Sequence, residues 1–128
     1  MTRRFFGTEA RYPHLVAEQG TKILGWASIG AYSERCAYAD TGEVSVYISP
    51  DWKGRGIGSQ LFEQLIAAGR AHSLHSLIAR IGEGNPASLA LHHRWGFEDM
   101  GFLPEIGFKF GRRLGVHILQ LRLMIPTA

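Results

Sequence analysis

Residues 43–72 decide the fold: Glu43-Val-Ser-Val-Tyr-Ile48-Ser-Pro-Asp-Trp-Lys53-Gly54-Arg55-Gly56-Ile57-Gly58-Ser59-Gln-Leu-Phe-Glu-Gln-Leu-Ile-Ala-Ala-Gly-Arg-Ala-His72. Val44, Val46 and Ile48 alternate with Glu43, Ser45 and Tyr47, the two-residue period of a strand with one apolar face. Lys53 to Gly58 is a basic, glycine-rich turn. From Ile57 the apolar residues fall at Ile57, Leu61, Phe62, Leu65 and Ile66, which predicts an amphipathic helix over 57–70. Strand, glycine turn and helix together suit a phosphate. The first turn of a helix has backbone N–H groups without partners, and its dipole favours negative charge. Gly54, Gly56 and Gly58 lack a Cβ, so an anion can approach the peptide plane, and Lys53 and Arg55 add positive charge. A tight strand-to-helix turn with no ligand is the alternative.

Two familiar phosphate loops are disfavoured by single residues, the dinucleotide reading remaining a second rival. A P-loop needs Lys-Ser/Thr after its last glycine, and here Gly58 is followed by Ser59-Gln60. A dinucleotide loop needs a third glycine where Ser59 stands.

Working outward, 128 residues make one domain, 1–128, with a single core. The apolar content of 45% and charged content of 20% are those of a globular chain. No apolar run is long enough to span a membrane, and the N-terminal residues do not read as a secretory signal. A single cysteine, Cys36, excludes an internal disulfide and fits a reducing compartment, so a cytoplasmic protein is expected. No His or Cys pair has zinc spacing, so no metal is expected. The net charge of +3 is spread out, which argues against nucleic acid and agrees with an anionic ligand.

In chain order, residues 1–11 could end a helix or form a loose arm. Residues 14–18 and 23–29 read as a hairpin through Gln19-Gly20. A polar loop follows over 32–42, then the strand at 43–49 and the helix. Residues 77–81 form a short apolar strand, and strand-helix-strand order implies a right-handed crossover and a parallel pair. Asn85 caps a second helix, Pro86 takes its first position and Gly96 closes it. Residues 97–103 and 116–123 are two more strands, with a glycine- and aromatic-rich loop expected over Pro104 to Gly115.

The order Lys53-Gly54-Arg55-Gly56-Ile57-Gly58 after a valine-rich strand resembles the pyrophosphate loop of the GNAT superfamily of acetyl-CoA-dependent N-acetyltransferases. Lys53 stands where that family usually has Arg or Gln. Arg35-x-x-Tyr38 with Thr41-Gly42-Glu43-Val44-Ser45-Val46-Tyr47, Leu91-His92-His93-Arg94-Trp95-Gly96-Phe97 and Gly107-Phe108-Lys109-Phe110-Gly111-Arg112 are similar to the phosphinothricin and methionine sulfoximine acetyltransferases. The resemblance spans about Tyr12 to Leu123. It implies an α/β GNAT fold: a central mixed sheet flanked by helices. Relatives usually begin with a strand and one or two helices ahead of the 14–29 hairpin. The expectation is therefore that the first strand and helix are missing and that 14–18 is an exposed edge.

The implied activity is transfer of acetyl from acetyl-CoA, the cosubstrate, to the primary amine of a small amino acid-like acceptor. A truncated domain that binds CoA without turnover is the alternative. Glu43, matching the family's glutamate, is the expected general base, against a merely solvated strand-end residue. His92 is expected to protonate the departing thiolate. Asn85, Ser88 and His92 are spaced to share one helix face, and the resemblance implies that Asn85, otherwise a plain N-cap, contacts the pantetheine arm. Backbone groups of Val46, Tyr47 and Ile48 are expected to bond the pantetheine amides where the two parallel strands splay. Lys53, Gly54, Arg55, Gly56, Ile57, Gly58 and Ser59 would hold the diphosphate. Arg35, Tyr38 and Gly82 would bind the acceptor, and the Phe108–Phe110 run either walls the pocket or packs. A homodimer is expected.

Overall fold

The computed structural model describes residues 12–123. The arm expected over residues 1–11 lies outside them. Six strands and two α-helices follow in the order β1 (His14–Gln19), β2 (Lys22–Ala31), β3 (Thr41–Ile48), α1 (Ile57–Ala71), β4 (Ser76–Gly82), α2 (Pro86–Arg94), β5 (Glu98–Lys109) and β6 (Arg112–Arg122). They form one mixed sheet in the order β1-β2-β3-β4-β6-β5. Only β3 and β4 are parallel, because α1 carries the chain across one face between them. Among the described residues no helix is long and apolar enough to cross a membrane.

The alternation in β3 works as its residue types dictate. Val44 is buried and Val46 and Ile48 are half-buried on the α1 face, while Ser45 and Tyr47 are exposed on the other. Against that face α1 packs Ile57, Leu61, Phe62, Leu65 and Ile66 onto Leu15, Ala17, Ala27, Ile29, Leu77 and Leu119. Each large aliphatic residue so buried stabilises the fold by about 1.5–3 kcal/mol. A bulge opposite Ala17/Glu18 lets Leu24 turn into this core although it breaks the period of two. On the opposite, open face of the sheet lie Trp26, Glu43, Ser45, Tyr47, Ile78 and Arg80, as the strand registers require. Trp26 and Tyr47 stack there at 6.2 Å.

One element differs from expectation. Pro104 to Gly115 is not a loop: β5 runs on to Lys109, β6 begins at Arg112, and the two close through Phe110-Gly111. The irregularity that reads as loop is absorbed by register shifts at Asp99/Gly101 and Leu103/Gly107. Pro104 and Glu105, the latter at φ 59°, fall inside the second shift. β5 is an edge strand, so a residue without an N–H breaks no ladder there. Phe108 and Phe110 project into solvent, each beside a cation (Arg113 and Lys109, both at 5.3 Å), and do not wall a pocket.

Candidate active site

The parallel pair ends early. β3 and β4 stay in register from Thr41/Ser76 to Val44/Ala79 and then part, although β3 continues to Ile48 and β4 to Gly82. On its other side β3 remains paired to β2 throughout, with Tyr32 N–H bonding Thr41 C=O and Ser49 N–H bonding Leu24 C=O. Because a strand alternates the side to which its polar groups point, the odd-numbered residues 41–49 direct theirs at β2 and the even ones at β4. Val46 and Ile48 therefore present their backbone groups to the gap. The expectation for Tyr47 is corrected: its N–H and C=O face Trp26 of β2.

The gap is a cleft of about 260 Å³ lined by Glu43, Val44, Ser45, Val46, Arg80, Ile81, Gly82, Asn85, Ser88 and His92. It brings together residues from both faces of the sheet: Glu43, Ser45 and Arg80 from the open face, Asn85, Ser88 and His92 from α2 on the helical face. Asn85 caps α2, its Oδ1 accepting from Ser88 N–H at 3.2 Å, and it also borders the cleft. Glu43 is 29% exposed and pairs with Arg80, Nε to Oε2 at 3.3 Å. Arg80 was not expected here; a lone cation in an otherwise apolar five-residue strand was the available signal.

His92 is 2% exposed, boxed by Phe62 and Phe97 at 4.9 and 5.0 Å. Its Nδ1 lies 2.7 Å from Ser88 C=O. A carbonyl only accepts, so Nδ1 carries the hydrogen and the neutral ring offers Nε2 as an acceptor. Burial lowers the pKa from 6.5, the bond to Ser88 opposes it, and His93 adds to the lowering. A lowered pKa favours the neutral ring at rest, which does not favour the expected acid role. Because the folded pKa is depressed, the stability linked to His92 is full above about pH 6.5 and is lost as pH falls towards the folded value. Between about pH 7.5 and pH 5.5 the urea midpoint of the wild type is expected to fall further than that of His92→Gln. Equal slopes would show that the ring protonates freely in the folded state.

α1, which follows β3 through the turn 49–56 and starts against α2, begins bare. Its N-cap is Gly56 at φ 81°, no side chain caps it, and the first helical bond is Gln60 N–H to Gly56 C=O at 3.1 Å. The N–H groups of Ile57, Gly58 and Ser59 have no partner among the described residues. Such a turn attracts an anion through both hydrogen bonding and dipole. Lys53 and Arg55 are exposed beside it, with Arg55 resting 4.9 Å over Trp52. Arg94 adds a cation that the sequence reading missed, reaching Ser59 Oγ at 3.4 Å from the end of α2.

The glycines divide by function. Gly54 and Gly56 have positive φ and open space where a Cβ would stand. At Gly58 a Cβ would lie 2.7 Å from Leu91 Cδ2, so this glycine serves the contact between α1 and α2. Packing alone therefore accounts for the missing Cβ at Gly58, whose N–H, among the described residues, remains free in the first turn of α1. Gly58→Ala is expected to cost about 1–3 kcal/mol in urea unfolding; an unchanged midpoint would mean Leu91 turns aside freely.

The acceptor residues are only partly gathered. Gly82 lines the cleft and also a second cavity of about 670 Å³ on the open face, which includes Tyr32. Tyr38 meets Tyr32 edge-on at 6.1 Å, at that rim. Arg35 is exposed beside the 3-10 turn Cys36–Tyr38 and lines neither space. No group of three or more His, Cys, Asp or Glu among the described residues could hold a metal.

A mixed sheet that opens between its parallel strands, with a bare glycine-led helix start at the opening, defines the GNAT acyltransferase fold. The Acetyltransferase (GNAT) family profile matches residues 2–97, and the chain belongs to that family. It is 44% identical over 122 residues to an L-methionine sulfoximine/L-methionine sulfone acetyltransferase of Pseudomonas aeruginosa, covering 93% of this chain and 71% of that protein. It is 45% identical to a phosphinothricin N-acetyltransferase of Alcaligenes faecalis, covering 88% of this chain and 57% of that one. A crystal structure of a GNAT superfamily phosphinothricin acetyltransferase from Sinorhizobium meliloti, in complex with AcCoA, superposes with a TM-score of 0.83 at 37% identity, over 91% of this chain and 66% of that one.

Proposed function

We propose that this protein transfers acetyl from acetyl-CoA to the primary amine of a small amino acid-like acceptor, of the phosphinothricin or methionine sulfoximine class, with Glu43 as general base. The observation that carries it is the parting of β3 and β4 after Val44/Ala79, which opens a cleft lined by Glu43 from one face and by α2 from the other, with the bare start of α1 set against α2 at Leu91 and Arg94. The diphosphate of CoA suits the free N–H groups of 57–59 with Lys53, Arg55 and Arg94 around them. The pantetheine amides suit Val46, Ile48 and the Asn85 side chain along the gap, as an added strand would.

Chemistry then follows from the two faces of the sheet. An α-ammonium group, with a pKa of about 8 in peptides, is largely protonated at neutral pH and has no lone pair to attack with. Glu43 takes one proton, and the free amine adds to the thioester carbonyl to form a tetrahedral zwitterion. A strand N–H facing the gap, that of Val46 or Ile48, holds the oxyanion. Collapse expels the CoA thiolate, and the remaining N–H proton passes from the nascent amide to sulfur, giving N-acetyl product and CoA-SH. His92 forms the wall beside this path and does not supply the proton.

Release of free thiol from acetyl-CoA, with phosphinothricin and methionine sulfoximine as acceptors, tests the reading. Tight CoA binding without thiol release on either acceptor, or on a wider panel of amines, would sink it. We also infer a homodimer: the edge strand β5 exposes Met100 and Phe108, apolar surface outside the acceptor cavity that a second copy would cover. A monomeric mass by light scattering would count against that.

A further inference from the structure

We propose that Arg80 selects the acceptor, holding its α-carboxylate while the amine lies on Glu43, so that the enzyme prefers α-amino acids with apolar side chains over amines lacking the carboxylate. This rests on the functional reading above and names the residue that gives it specificity. Arg80 stands at the junction of the two spaces, lining both the cleft that holds Glu43 and the 670 Å³ cavity on the open face. The rest of that cavity is largely aliphatic: Ile78, Leu103, Ile106, Val116 and Ile118. A single cation at the end of an apolar trough, beside a carboxylate, fits one kind of small molecule well.

The charges explain why. Arg80 and Glu43 form an ion pair through Nε, at 3.3 Å, and the Arg80 side chain is 56% exposed. Arginine has five N–H donors in a planar fork, so its terminal groups remain available for a carboxylate. An α-amino acid is a pair of opposite charges of similar separation. Laid head-to-tail against Arg80 and Glu43 it completes a square in which every charge gains a second opposite neighbour. A simple amine behaves differently: it competes with Arg80 for Glu43 and leaves the guanidinium with nothing in return. Discrimination therefore arises as much from penalising the wrong ligand as from binding the right one. The aliphatic floor takes the side chain, and the volume admits one larger than alanine's. Arg35, outside both spaces, is not needed for this role.

The test compares leucine with leucinamide, the same side chain without the negative charge, in wild type, Arg80→Ala and Arg80→Lys. Wild type is expected to favour leucine in kcat/KM by about 10–100-fold, the worth of a charge-assisted hydrogen-bonded pair. In Arg80→Ala the ratio of kcat/KM for leucine over that for leucinamide is expected to fall to about one, chiefly through a higher KM for leucine. Arg80→Lys, which keeps the charge and loses the fork, is expected to fall between. An equal loss on both acceptors in Arg80→Ala would reduce Arg80 to a support for Glu43 and overturn the proposal. So would a preference for leucine that survives the substitution, or a wild type indifferent to the carboxylate; both leave the functional reading intact. A wild type that acetylates no amine overturns that reading and this inference together.

Discussion

Glu43→Gln is expected to lower kcat/KM for amine acetylation by about 10²–10⁴-fold, the usual contribution of a positioned general base. CoA affinity should be unchanged, because Glu43 lies on the open face of β3 and the bare first turn of α1 on the other side of the sheet. Glutamine keeps the shape and a hydrogen-bonding oxygen but cannot take a proton at neutral pH. Stability should hardly move. The substitution weakens an ion pair whose cation is more than half exposed, and such pairs contribute about 0–1 kcal/mol. The measurement is steady-state thiol release with calorimetric CoA titration of both proteins. A rate within a few-fold of wild type, with CoA still bound, would assign proton removal to solvent and Glu43 to partnering Arg80.

The other large effect is expected at a residue that touches no reactant. Phe62→Ala should cost about 3–5 kcal/mol, a large share of the 5–15 kcal/mol that stabilises a domain of this kind. Phe62 is fully buried, and its ring meets His92 edge-on at 4.9 Å and Phe97 at 5.8 Å. These three rings join α1 to the end of α2. Removing the central one leaves a cavity under His92, the wall of the cleft, so a loss of activity should accompany the loss of stability. Urea unfolding measures the first. Phe62→Leu, which refills most of the volume, should recover more than half of the cost. A Phe62→Ala protein as stable as wild type would show that the α1–α2 junction collapses freely onto the void.

How much of this was legible without coordinates depends on the range of the interactions. β3, the turn and α1 could be read directly because period two, glycine at positive φ and a 3.6-residue apolar stripe are local properties of the chain. Asn85-Pro86 announced α2 for the same reason, through a side chain bonding its own backbone three residues on. Glu43 and His92 could be nominated by resemblance, but their states could not. Burial against Phe62 and Phe97, distant in sequence from one another, favours the neutral ring of His92.

Tertiary structure alone decided the rest. Pro104 and its neighbours signal a break, and only the edge position of β5 makes that break harmless. Gly58 looks like its two companions in sequence, yet Leu91 fills the space its side chain would need. Arg80 is a lone cation in an apolar run, and only the packed strands set it against Glu43. The chain itself determined that a strand would lead through glycines into a bare helix start, because each residue there answers to its near neighbours. Where the sheet opens, and which charge faces which across the opening, depends on how six strands divide their hydrogen bonds, and only the assembled sheet settles that division.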